Sequence, residues 1–177
     1  MNFAWWVSLF GLFAVTASYF LKKRWQFLVA QGSSILLFAI SNLSLGLYYA
    51  AIASGVSIIR VITYFILEKR DKTPTFALKT FFAGLVVLSY VITNVVILND
   101  YNPWDVLLMC VNVSFVYIIG IRNMRTMRYC LLPPIALAFA YGRIVGVAPF
   151  NSVSQALEFF ANLVAIIIYE RANKKSK

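Results

Sequence analysis

The sequence predicts an all-α membrane bundle of seven transmembrane helices, two parallel triple-helix repeats joined by one connector helix, a 3+1+3 plan. Three observations carry that prediction. The chain of 177 residues is 62% hydrophobic and only 12% charged, whereas soluble domains run at about 45–50% and about 25%. Its basic residues fall in short runs at every second junction between apolar stretches. The last apolar stretch also repeats the design of the third. At about 20 residues per span, the length holds about six to eight helices and leaves no soluble domain. Mean hydropathy is +0.80, so the chain needs lipid as its solvent.

The first span is expected from Phe3 to Leu21, where Lys22, Lys23 and Arg24 stop it. Trp5, Trp6 and Trp25 flank it in the manner of an aromatic belt. Because its positive charges follow the apolar run, it reads as a retained helix with an outer N-terminus and not as a cleaved signal. The second span runs from Gln26 to Leu45, and the third begins near Ala51 after an uncharged connection. The cluster Glu68, Lys69, Arg70, Asp71 and Lys72 follows, and Pro74 breaks the helical pattern. The fourth span runs from Phe76 to Leu98 and ends in NDYNPWD, which has two acids and no Lys or Arg. Pro103 suits a helix start. The fifth span runs from Trp104 to Ile121 and meets Arg122, Arg125 and Arg128; the sixth runs from Tyr129 to Val147; the seventh runs from Val153 to Tyr169.

The charged junctions KKR, EKRDK, RNMRTMR and ERANKKSK alternate with junctions that lack Lys and Arg. Seven crossings with the N-terminus outside place all four basic junctions in the cytoplasm. The net charge of +10 therefore reads as topology signals that face anionic headgroups. Nucleic acid is excluded as a partner, because no basic helix face or basic domain exists to carry it. Cys110 and Cys130 lie in or beside apolar helices and read as packing residues, not as a disulfide framework. The chain has no histidine, which rules out His-based zinc sites, triads and proton relays. No enzyme motif and no cofactor-binding motif is present.

The repeat follows from overlaying the third and seventh spans. Glu68 then falls on Glu170, Lys69 on Arg171, Lys72 on Lys174 and Arg60 on Asn162. The units expected are residues 1–73, a linker helix in 74–101, and residues 102–177. An odd linker lets both units face the same way. Repeats of this kind build transporters with the substrate at the repeat interface.

Arg60 leads the candidate residues. An arginine at a helix centre costs about 2.5–3.5 kcal/mol on insertion scales, so it must meet a polar interior or snorkel to an interface. Ser57, Arg60 and Tyr64 share one face of the third span. Gln155, Glu158 and Asn162 share the equivalent face of the seventh. Together they suit the lining of a polar pathway, or alternatively interhelical hydrogen bonding. Arg143 is placed to snorkel, to pair with Glu158, or to meet an anionic solute. Asn42, Asn94 and Asn112 also lie within spans, and Asn94, on the connector, reads as structural. Pro133 and Pro134 weaken the sixth span, and the matching Gly32 weakens the second. These paired soft points suit hinges between states, or simply shape the packing.

The stretch SNLSLGLYYAAIASGVSIIRVIT, with its small-residue turn and its arginine, resembles the YgjV-type bacterial inner membrane proteins. GRIVGVAPFNSVSQALEFFANLVAIII fits the same pattern. More distantly, the 3+1+3 plan looks like that of the SWEET sugar transporters and the PnuC vitamin transporters. The SWEET resemblance implies substrate contacts on the third and seventh helices, here at Arg60 and Asn162. Arginine in place of an asparagine points away from a neutral sugar and toward an anionic or carboxylated solute. The Pro-Gln dipeptide of PQ-loop proteins is missing. The expected partners are the bilayer, a small solute and, left open, further copies of the chain. The expected role is transport by alternating access, the alternative being a non-transporting scaffold or regulatory subunit.

Overall fold

A computed structural model describes residues 3–45, 48–97, 103–144 and 149–175. Seven α-helices follow in order: α1 (Phe3–Ser18), α2 (Arg24–Ser44), α3 (Tyr48–Lys69), α4 (Phe76–Tyr90), α5 (Pro103–Ile119), α6 (Met124–Ile144) and α7 (Pro149–Lys175). A π-helical segment, Val91–Ile97, continues α4. The chain is all-α, as its apolar runs predict.

Local chemistry sets the helix ends. Thr75 is extended and its hydroxyl accepts from the Leu78 amide at 3.3 Å, which caps α4. The Asn123 side chain accepts from the amides of Arg125 (2.9 Å) and Thr126 (3.3 Å) and so starts α6. That cap begins α6 five residues before the expected Tyr129, which makes Arg125 and Arg128 helical. Asp71 closes α3 in the left-handed region, with φ of 55°. The Lys72 amide then reaches Leu67 O at 2.9 Å and the Asp71 amide reaches Glu68 O at 3.1 Å, a Schellman closure. The first apolar run does not stay helical to Leu21. It turns over at Tyr19 and Phe20, and the Ser18 hydroxyl bonds back to Val15 O at 2.6 Å.

Among the described residues, four helices are long and apolar enough to cross a membrane: Arg24–Ser44, Ala51–Lys69, Phe76–Asn94 and Val153–Arg171. Phe3–Ser18 and Val106–Ile119 are apolar but shorter. α6 carries Arg125, Arg128, Arg143 and both prolines. It nevertheless runs unbroken through Pro133 and Pro134. The apolar helices mark a membrane-embedded chain. Large apolar side chains such as Phe10, Phe13, Ile59, Phe81 and Phe160 point outward, a surface suited to lipid and not to water.

Consecutive helices pack in order, α1 on α2, α2 on α3, and so on through α6 on α7. α7 returns to α1 and closes the ring. α4 bridges α3 and α5. Gly11 brings α1 close to α2, since a Cβ there would lie 3.4 Å from Leu37 and Phe38. Gly32 does the same for α2 and α3, with Val61 at 3.3 Å. Each helix α1–α7 sends side chains to one core that includes Tyr19, Phe27, Tyr64, Met127 and Ala165.

Candidate functional site

Arg60 sits inside the bundle on α3 and is only 5% exposed. Its Nε is buried without an acceptor. Among the described residues its guanidinium has no hydrogen bond and no carboxylate within ion-pair range. One turn on, Tyr64 is fully buried; its hydroxyl donates to Val116 O at 3.2 Å. The Tyr64 ring meets the edge of Phe82, with centroids 6.0 Å apart. Ser57, on the same face, is half-buried. The expectation that Arg60 turns inward therefore agrees with its burial.

The polar face of α7 is inward too. Glu158 accepts from the Tyr19 hydroxyl at 3.3 Å. Gln155 has a buried carbonyl oxygen without a donor. Asn162 is fully buried; its amide donates to Arg128 O at 2.8 Å, while its own carbonyl oxygen has no donor. Among the described residues, however, no hydrogen bond or ion pair joins Arg60 to Asn162 or Glu158. α3 and α7 share no substantial packing surface. Asn162 instead ties α7 to α6.

The remaining candidates lie elsewhere. Arg143 is exposed and makes no ion pair with Glu158, whose partner is Tyr19. Asn112 is also exposed, and Asn42 is half-buried. Neither of two clefts in the structure is lined by Arg60, Glu158 or Asn162. One of them is an apolar groove between α2 and α3, beside Gly32 and Val61. Among the described residues no three His, Cys, Asp or Glu side chains gather as a metal site.

A second polar system escaped sequence reasoning. All four charged junctions meet at one end of the bundle. Arg24, the first residue of α2, pairs with Glu68 at 3.1 Å and donates to Ile119 O, in the last turn of α5, at 2.8 Å. Arg128 of α6 donates to Leu21 O, just past α1, at 2.7 Å. Tyr169 of α7 donates to Phe20 O at 2.6 Å. Arg125 pairs with Glu170, and Arg122 pairs with Asp71. Lys69 lies 4.5 Å over the Trp25 ring. The carbonyls that end a helix have no partner within it, and they favour cations. Here they are met from the other side of the ring. An arginine and a tyrosine from α2 and α3 serve the end of α5, and an arginine and a tyrosine from α6 and α7 serve the end of α1. The one signal in the sequence is position, since Arg24 and Arg128 are the members of their basic runs nearest the apolar stretch that follows.

No family of known proteins, no curated protein and no solved structure matches this chain.

Proposed function

We propose that the chain is a transporter or facilitator for a small anionic solute, working by alternating access between two triple-helix bundles, α1–α3 and α5–α7. One observation carries the reading: the Arg60 guanidinium is buried in the middle of an apolar helix with no counter-charge among the described residues. An unpaired buried charge is strongly destabilising. A site that retains one is poised for an anion to complete it. Tyr64 and Ser57 lie on the same face of α3.

The parallel-repeat plan is supported by the exchanged contacts at the charged end. Arg24 and Tyr64 reach the end of α5, and Arg128 and Tyr169 reach the end of α1. The pairs Arg24–Glu68 and Arg125–Glu170 each join the start of a middle helix to the end of the third helix of its bundle. In this reading all seven helices cross the membrane, the charged end is cytoplasmic, and the architecture is that of the SWEET and PnuC transporters and the YgjV-type inner membrane proteins.

A second reading, a non-transporting scaffold, draws on a different observation. Neither of the two clefts described above is lined by Arg60. Uptake decides between them. Proteoliposomes of wild type and Arg60→Ala are offered a panel of labelled small carboxylates and phosphate esters, with a neutral sugar as comparison. The transport reading expects uptake of at least one anion, lost in Arg60→Ala. Normal uptake by Arg60→Ala removes Arg60 from the site, and no uptake of any solute by wild type favours the scaffold.

A further inference from the structure

Away from Arg60, the charged end of the bundle holds a cleft of about 180 Å³ between the turn after α1, the start of α6 and the end of α7. Its polar wall is Lys22, Arg125, Arg128, Tyr129 and Glu170. Three cations therefore face one carboxylate. That carboxylate is already engaged, because Arg125 pairs with its Oε1 and the Tyr129 hydroxyl donates to the same oxygen at 3.4 Å. Lys22 and Arg128 are left in excess. Lys22 is exposed and has no ion-pair partner among the described residues.

Arg128 is the informative member. It is 4% exposed and lines the cleft. Its Nη2 serves Leu21 O, and its guanidinium carbon lies 4.0 Å over the Tyr169 ring. Its Nε is buried and has no acceptor. A carbonyl and an aromatic face offset part of a positive charge, but they do not neutralise it. A phosphate group supplies what is missing. It has several acceptor oxygens and suits an arginine and a lysine that line the same cleft. Met124, Ile166 and the Tyr169 ring give the same cleft an apolar wall, which suits the glycerol and first acyl carbons of a lipid. Basic pockets between membrane helices on the cytoplasmic side take anionic headgroups in this way.

We propose that this cleft binds a phosphate group, held by Lys22 and Arg128 and presented by an anionic lipid or free in solution. The site is separate from Arg60, so it stands whether or not the chain transports a solute.

The test uses the full chain purified in mild detergent. Native mass spectrometry compares retention of phosphatidylglycerol with that of phosphatidylcholine. Thermal melting is followed while inorganic phosphate is titrated. The variants are Lys22→Gln, Arg128→Lys and, as a comparison outside the cleft, Lys72→Gln. Phosphatidylglycerol is expected to be retained selectively, about fivefold more weakly in Lys22→Gln and unchanged in Lys72→Gln. Arg128→Lys, which keeps the charge but loses the planar guanidinium, is expected to weaken retention as well. Inorganic phosphate that raises the melting point, or displaces the lipid, shows that the site takes free phosphate too; if it does neither, the lipid is the source. Either result sustains the proposal. Equal retention of the two lipids with no response to phosphate overturns it, as does an equal loss in Lys22→Gln and Lys72→Gln. Should Arg128→Lys fail to fold, the two lysine variants decide alone.

Discussion

Replacing Arg24 with alanine is the sharpest perturbation of the charged end. The Arg24 side chain is 3% exposed, against 17% for its partner Glu68. The substitution removes two contacts together, the ion pair at 3.1 Å and the bond to Ile119 O at 2.8 Å. A hydrogen bond from a charged donor contributes about 1.5–3 kcal/mol. Breaking a fully buried pair from one side costs about 3–5 kcal/mol. Glu68 keeps some access to water, so the lower part of that range applies, and the expected loss is about 3 kcal/mol. Arg122 provides the comparison. Its pair with Asp71 is exposed on both sides, so Arg122→Ala is expected to lose less than about 1 kcal/mol. Unfolding by sodium dodecyl sulfate in mixed micelles, followed by far-ultraviolet circular dichroism, measures both. Adding Glu68→Ala completes a double-mutant cycle, with an expected coupling of about 1 kcal/mol or more between Arg24 and Glu68. If Arg24→Ala and Arg122→Ala lose the same small amount, burial at the charged end has no energetic weight and the reasoning fails.

Further outcomes follow from other contacts. Arg60→Met removes a buried charge without a partner, so the unfolding midpoint is expected to rise; a fall instead would mean that the guanidinium holds the fold together, as the scaffold reading requires. Gly11→Ala should be tolerated, because its Cβ would sit at ordinary contact distance from Leu37 and Phe38. Gly11→Leu should force α1 away from α2 and lose about 1–3 kcal/mol in the same unfolding assay. Tyr64→Phe and Tyr169→Phe each delete one bond to a carbonyl, and each is expected to lose about 1 kcal/mol; no change in both would show that those carbonyls are served by other donors.

The helices were largely legible in the sequence because apolar runs and their charged stops are both local. The alternation of basic junctions with ones that lack Lys and Arg also carried real spatial content, since the four basic junctions meet at one end through Arg24, Glu68, Asp71, Arg122, Arg125 and Glu170. Helix ends were less legible. The side chain of Asn123 starts α6 early, and the apolar residues Tyr19 and Phe20 belong to a turn, which hydropathy cannot distinguish from helix. Among the candidate residues, helical spacing put Arg60 and Tyr64 on one face and Asn162 with Glu158 on another, and the structure buries Arg60, Tyr64 and Asn162. Arg143 and Asn112 did not turn inward, because a polar residue in an apolar run carries no mark of which side its helix packs. The roles of Arg24 and Arg128 were invisible for a related reason. A basic run announces a membrane face, but which member bends into the protein depends on a helix more than 90 residues away.

The exchanged arginine contacts also bear on how the protein is made. Leu21 and Arg24 leave the ribosome long before Arg128 and Ile119, which complete them. Until those partners are made, Leu21 O lacks the Arg128 donor and Arg24 lacks the Ile119 acceptor. A chain truncated before α6 lacks the Arg128 donor to Leu21 O, so it is expected to be cut by added protease faster than the full chain.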